Sequence, residues 1–372
     1  MKLTNVASFF IIAIAIIAAL VYGQGLLVPL ILAVLLWFIM RKLKMLLDRI
    51  EFVREHVPSW IKTVISGLVI WGVVSVAANI LAMNINNLAQ SYPKYQSNID
   101  LIVEQLNKVF HIDLIEMIRA QSADFNIGAV LSPMLNSLSG ILGNLFMIVI
   151  YALFILSEES NFKSKLDILF KDKHEYARFD DIMTKIEQSV TSYLGLKTFT
   201  SLLTGGLSYI ALLFIDIDAP AFWAFLIFLL NFIPTVGSLV ATAFPVLFCL
   251  LQFGGFREAI IVLIAVGVIQ ILVGNLLEPR LLGSSMNISP LVAILSLSIW
   301  GVLWGVVGML LSVPITVIMV IIFAQFESTR PAAIMLSEKG RIDGGRRRPR
   351  PGEGILEAGG QTAMPDVRKP GR

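Results

Sequence analysis

The residues whose types and spacing can do chemistry sit in two short runs of the carboxy-terminal half. One is NFIPTVG, which holds Asn231, Pro234 and Gly237; the other is GNLLEPRLLG, which holds Asn275, Glu278, Pro279 and Arg280. Each run interrupts an apolar stretch of helical length. Proline withholds a backbone donor and crowds the preceding turn, so a helix broken at membrane depth frees carbonyls that must find protein or a water-filled path. The second run predicts a helix that stops at Glu278-Pro279-Arg280, crosses a short polar turn and resumes at Pro290. Ionisable groups near a bilayer are costly and face a partner or a substrate path. Ser201, Thr204, Thr235, Ser238, Gln270 and Asn287 extend the same lining with neutral groups. Hydroxyls and amides suit a small uncharged solute rich in hydroxyls, because each buried solute hydroxyl needs a partner to offset its desolvation. Glu278 alone can couple to a proton or a cation, and the plainer alternative is an interfacial carboxylate paired with Arg280 at a helix end.

Composition says what kind of scaffold must position these groups. The chain has 372 residues, of which 56% are hydrophobic and 15% charged, and its mean hydropathy of +0.81 lies far outside the soluble range. Several runs reach the roughly 17 to 25 residues that a helix needs to cross a bilayer, and no alternating barrel pattern is present. A lone Cys249 cannot form a disulfide or a thiolate metal site, and His56, His111 and His174 fall in three different connecting segments without ligand spacing. No nucleophile is paired with a base and no phosphate loop occurs, so the sequence points away from an enzyme and calls for no cofactor.

The order of segments follows from charge and hydropathy. Residues 1–83 hold the first membrane helices: Val6 to Tyr22 and Leu26 to Met40 form a hairpin across Gly23-Gln24-Gly25, and Ile61 to Met83 is a third span. Arg41, Lys42, Lys44, Arg49, Arg54 and Lys62 lie between them and place that loop, with the amino terminus, in the cytoplasm. Residues 84–137 form a small external, periplasmic helical segment, with Ile99, Ile102, Leu106 and Val109 at helical spacing. Residues 138–157 return as a membrane helix, and residues 158–197 make an amphipathic cytoplasmic connection. The membrane core, 198–325, contains two hairpins, one cut at Asn231 to Gly237 and one around Trp300-Gly301 and Gly305. Paired interrupted helices point to a transporter's binding region. Residues 326–372 form a largely disordered cytoplasmic tail, whose Arg346, Arg347 and Arg348 fit anionic lipid better than nucleic acid.

SYPKYQSNI from Ser91, SVTSYLGLKT from Ser189, NFIPTVG, GNLLEPRLLG and WGVLWGVVGMLLSVP from Trp300 resemble the motifs of the autoinducer-2 exporter family. The resemblance runs to about Ser337, and the extension beyond it departs from the family pattern. It implies a multi-pass protein of a bacterial or archaeal inner membrane, homo-oligomeric, that exports the furanone-type quorum signal or, in other branches, exchanges sodium or lithium for protons. Family motif positions map here onto Pro234, Gly237, Glu278, Pro279 and Pro314.

The expectation is an all-α polytopic membrane protein of about eight helical membrane segments, with broken or re-entrant hairpins in its carboxy-terminal half and both termini cytoplasmic. It exports autoinducer-2 or a similar small polar metabolite, with membrane lipid, the solute and a proton or sodium ion as partners, and no nucleic acid. The alternatives are a sodium or lithium/proton antiporter and a non-transporting scaffold that binds through residues 84–137.

Overall fold

The structure is a computed structural model that describes residues 3–73, 75–77, 79–80, 83–84, 95, 98, 102, 127–170, 172–282, 288–338 and 340. Most of the external segment, Asn287 and the tail beyond Gly340 lie outside the described residues. Helices are the regular elements among the described residues, and six of them are long and apolar enough to cross a membrane. Two shorter apolar helices, Phe10–Tyr22 and Pro220–Leu230, accompany these. An all-α polytopic membrane protein is the result, and its exposed apolar faces, such as Phe10, Ile11 and Ile14, are what lipid requires.

The chain opens with α1 (Leu3–Tyr22) and α2 (Gln24–Leu47). They meet at Gly23 alone, whose backbone stays near-helical at φ −83° and ψ 0°. The junction is a bend rather than the three-residue turn expected there, and it leaves the Leu20 carbonyl free to accept the Trp304 indole N–H at 3.0 Å. Next come α3 (Glu51–His56) and the span α4 (Ser59–Ala77), clipped back to the end of α2 by Lys62, whose ammonium lies 2.5 Å from Asp48.

Two very long helices follow, α5 (Ile127–Leu169) and α6 (Lys173–Phe214). At 1.5 Å per residue each is over ~60 Å long, about twice a hydrocarbon core, so part of each stands clear of it. Residues 158–197, expected as a connection, are the end of one arm and the first half of the other. Asp172 starts α6 by accepting the His174 backbone N–H at 2.9 Å. Arg41 of α2 joins both arms, 2.8 Å from Glu187 and 3.8 Å from Glu159.

The carboxy-terminal half contains the two expected hairpins. The first is α7 (Pro220–Leu230) and α8 (Val236–Phe253). Eleven residues give α7 a length of ~16 Å, too short to span, so its tip lies at membrane depth. Gly237 is obligatory there: a Cβ on it would stand 1.8 Å from the Leu230 carbonyl oxygen. After α9 (Phe256–Gln270), a π-helical turn (Ile271–Leu277) and α10 (Glu278–Leu282) comes the second hairpin, α11 (Pro290–Phe323). It folds back at Trp304 and at Gly305, which has φ 61° and ψ −143°. A Cβ on Gly308 would lie 1.9 Å from the Trp300 carbonyl oxygen, so both hairpins turn on a glycine pressed against a carbonyl. Finally α12 (Arg330–Leu336) ties back through its Leu336 carbonyl, which accepts the Ser289 N–H.

The base of the first hairpin is clasped from several sides. Gln252 accepts the Asp218 N–H at 2.7 Å and donates to the Asp216 carbonyl at 2.8 Å. Tyr95 donates to Asp218, and Asn98 donates to the carbonyls of Leu251 and Gln252. These two residues belong to SYPKYQSNI, so that motif seals the hairpin base. Beneath it Trp223 packs on Phe248 with ring centroids 4.8 Å apart, within a core that includes Leu226, Val262 and Val266.

Candidate functional site: a polar stripe on α6 facing a hairpin tip and a π-turn

Lys197, Ser201, Thr204 and Ser208 follow one another at i, i+4, i+7 and i+11, which places them on one face of α6. All four are buried. A helix can hold such hydroxyls in an apolar setting because they bond back to its own carbonyls, as Thr204 does to Thr200 at 2.8 Å. Gly205 lets the neighbouring helix close on this face, since a Cβ there would meet the Ala224 carbonyl at 3.0 Å.

The hairpin tip reaches the stripe through Asn231, whose amide donates to Ser201 at 3.0 Å; both are buried. Beyond Asn231 the tip is strained. Thr235 has φ 59° and ψ −58°, and the Val236 N–H bonds to the Pro234 carbonyl, two residues back. That is the γ-turn with positive φ, rare for any residue and an outlier for a β-branched one. Pro234 is half-buried and Gly237 buried within this tip.

Glu278 approaches from the other side. The helix from Phe256 does not stop at Glu278-Pro279-Arg280, as the sequence predicts; it widens into the π-turn and continues to Leu282. Widening gives the missing proline donor somewhere to fall: Glu278 N–H bonds to the Val273 carbonyl, five residues back, and Pro279 enters as the second residue of a new helical turn. The Glu278 carboxylate accepts from the Lys197 ammonium at 2.6 and 2.8 Å, and the Thr200 hydroxyl stands 3.5 Å away. Glu278 is therefore not paired with Arg280, whose side chain is exposed. Asn275 and Pro279 are also exposed, so of the seven leading candidates only Asn231, Pro234, Gly237 and Glu278 sit at the stripe or in the tip. Thr235 is exposed, and Ser238 is occupied in the tip by donating to the Thr235 carbonyl.

The residue that sequence reasoning missed is Lys197. Its signal was a single cation between Leu196 and Thr198 at the head of an apolar run, inside a motif already singled out. Further along, two buried polar atoms have no protein partner among the described residues: the Ser208 hydroxyl and the Gln270 amide nitrogen. The Lys197–Glu278 pair sets the register of these opposed helices. Counted from it, Ser208 is eleven residues along one helix and Gln270 eight back along the other, so both lie on the same side of the ion pair.

A profile of the AI-2E family transporter matches residues 10–328, from within α1 to beyond the end of α11. The chain belongs to the AI-2E family of transporters. It is similar to the AI-2 transport protein TqsA of Escherichia coli, 32% identical over 333 residues that cover 87% of this chain and 93% of TqsA. A Haemophilus influenzae protein is 32% identical over 77% of this chain and 84% of its own length. The E. coli protein YhhT is 28% identical over 79% and 85% respectively. The stripe, the hairpin tip and the π-turn all fall inside the family match, which ends before the arginine-rich tail.

Proposed function

We propose that this transporter exports a small, uncharged, hydroxyl-bearing metabolite of the autoinducer-2 type along the α6 stripe. The observation that carries this reading is the neutrality of the lining. Lys197 balances Glu278, and what remains at the stripe is Thr200, Ser201, Thr204, Ser208, Asn231 and Gln270. A solute of hydroxyls and carbonyls finds donors and acceptors there without having to neutralise a charge. The unpartnered Ser208 hydroxyl and Gln270 amide are groups that such a solute satisfies as it passes. The similarity to TqsA, an AI-2 transport protein, supports the same solute class. In this reading the protein sits as a homo-oligomer in the inner membrane with both termini cytoplasmic, the orientation favoured by the basic run from Arg41 to Lys62.

The buried ion pair also favours a second reading, exchange of sodium or lithium for protons. A monovalent cation then displaces the Lys197 ammonium from Glu278, and a proton replaces it on return. Purified protein in proteoliposomes separates the two, with labelled autoinducer-2 and radioactive sodium measured under an imposed proton gradient. Signal movement without sodium movement supports the first reading. Gradient-driven sodium movement without signal movement overturns it in favour of the second.

A further inference from the structure

A cavity of about 440 Å³ opens between α2, α5 and the first half of α6. Its size lies within the roughly 300 to 1,000 Å³ of small-molecule sites. Trp37, Phe38, Phe162, Tyr176 and Phe179 give it an aromatic lining, and Glu158, Glu159, Asp180 and Glu187 give it carboxylates. Arg41 is the basic side chain of the lining. Its guanidinium is held by Glu187 and Glu159, and it lies 5.7 Å from the centre of the Trp37 ring. Glu159 also accepts the Trp37 indole N–H at 3.3 Å, so the ring is fixed with one face already turned to a cation. Glu158 is met by Lys165 at 2.5 Å. Asp180 lines the rim of the cavity beside Tyr176, is exposed to solvent, and makes no hydrogen bond or ion pair among the described residues.

We propose that this cavity binds a small amphipathic organic cation, with its apolar body among the rings and its charge toward Asp180 and the carboxylate excess. Charge complementarity selects the occupant: with Lys165 on Glu158 and Arg41 between Glu159 and Glu187, four carboxylates still outnumber two cations, and the negative field in this aromatic space attracts a weakly hydrated cation and repels an anion. Glu187 is ten residues, ~15 Å, along α6 from Lys197, so this site is distinct from the Lys197–Glu278 pair and does not depend on the export reading.

Ethidium titrated into the full-length protein in detergent micelles, read by fluorescence anisotropy, tests it. Saturable binding is expected, and phenanthridine, the uncharged ring system, should compete at least about tenfold more weakly. Asp180→Asn should weaken ethidium roughly fivefold, while Asp181→Asn, which removes a carboxylate bound to Lys185 outside the cavity, leaves affinity unchanged. Equal competition by phenanthridine, or an affinity indifferent to Asp180→Asn, overturns the proposal by reducing the cavity to a greasy cleft. Binding that emerges only after residues 341–372 are removed also overturns it, because the chain's own arginine-rich tail is then the occupant.

Discussion

Replacing either partner of the Lys197–Glu278 pair should damage the fold far more than replacing both. The side chains are 7% and 16% exposed, with the ammonium 2.6 Å from one carboxylate oxygen. At that distance and an effective dielectric near 20, the attraction is ~6 kcal/mol. Removing two ions from water costs several kcal/mol each, so the pair as a whole contributes little net stability. Glu278→Gln leaves an ammonium without its counter-charge, and Lys197→Met leaves a carboxylate with only the Thr200 hydroxyl beside it. Each single change should therefore cost about 3 to 5 kcal/mol, while Lys197→Met with Glu278→Gln should return to within about 1 to 2 kcal/mol of the parent. Equilibrium unfolding in mixed detergent micelles measures all four corners of this double-mutant cycle. Additive costs, or single changes that each cost under about 0.5 kcal/mol, would refute the claim that the two charges hold one another. The double variant also divides the two transport readings: a neutral-solute path keeps flux of labelled autoinducer-2, whereas cation exchange through Glu278 is abolished.

Gly237→Ala should prevent accumulation of monodisperse protein in size-exclusion chromatography, because its Cβ has no room beside the Leu230 carbonyl; Gly274→Ala, with open space around it, should be neutral or slightly stabilising. Thr235→Gly should raise stability by about 1 kcal/mol or more, seen as a higher apparent melting temperature, since glycine adopts positive φ without strain. Asn231→Leu removes the amide that reaches Ser201, leaves that hydroxyl buried without its donor and should cost about 1 to 3 kcal/mol while lowering solute flux in proteoliposomes. Asn98→Ala frees two carbonyls at the hairpin base and should speed amide exchange at residues 251–254, which mass spectrometry detects.

The helical class and both hairpins were legible because apolar length and the Pro/Gly interruptions are local signals. Asn231 to Gly237 form a turn for the reasons visible in the sequence, and Gly305 carries the positive φ that marks the second break. The route of the chain through Pro279 was not legible. Whether a proline ends a helix or is absorbed by a π-turn depends on what the widened turn packs against, and here Glu278 is held by a lysine 81 residues earlier. The same long-range contact explains why Lys197 escaped notice and why Arg280 looked like the natural partner: adjacency in sequence is visible, and a salt bridge across two helices is not. At the Gly23 junction the sequence signal exceeds the structural outcome, since two glycines so close together advertise more flexibility than the near-helical backbone uses.

The two ends of the α7–α8 hairpin are held by different means, and the difference shows where it can give. At the base, Gln252 and Asn98 make two hydrogen bonds each, Trp223 donates to the Asp218 carbonyl, and Tyr95 and Trp223 pack on Phe248. At the tip, Leu230 and Ile233 are buried, one neutral side-chain hydrogen bond among the described residues, from Asn231 to Ser201, ties the turn to α6, and the turn itself carries the strain of Thr235. Breaking that bond costs about 1 kcal/mol net, and relaxing the γ-turn returns a comparable amount, about 1 to 3 kcal/mol. Opening the base forfeits several bonds and stacked rings together. The low-energy end of the hairpin is thus its tip, and Ser201, where the tip docks, is one helical turn from Lys197. Under the proposed export along α6, a displacement there would uncover the stripe at the level of the ion pair while the hairpin base stays packed, and Asn231→Leu is the variant that tests it.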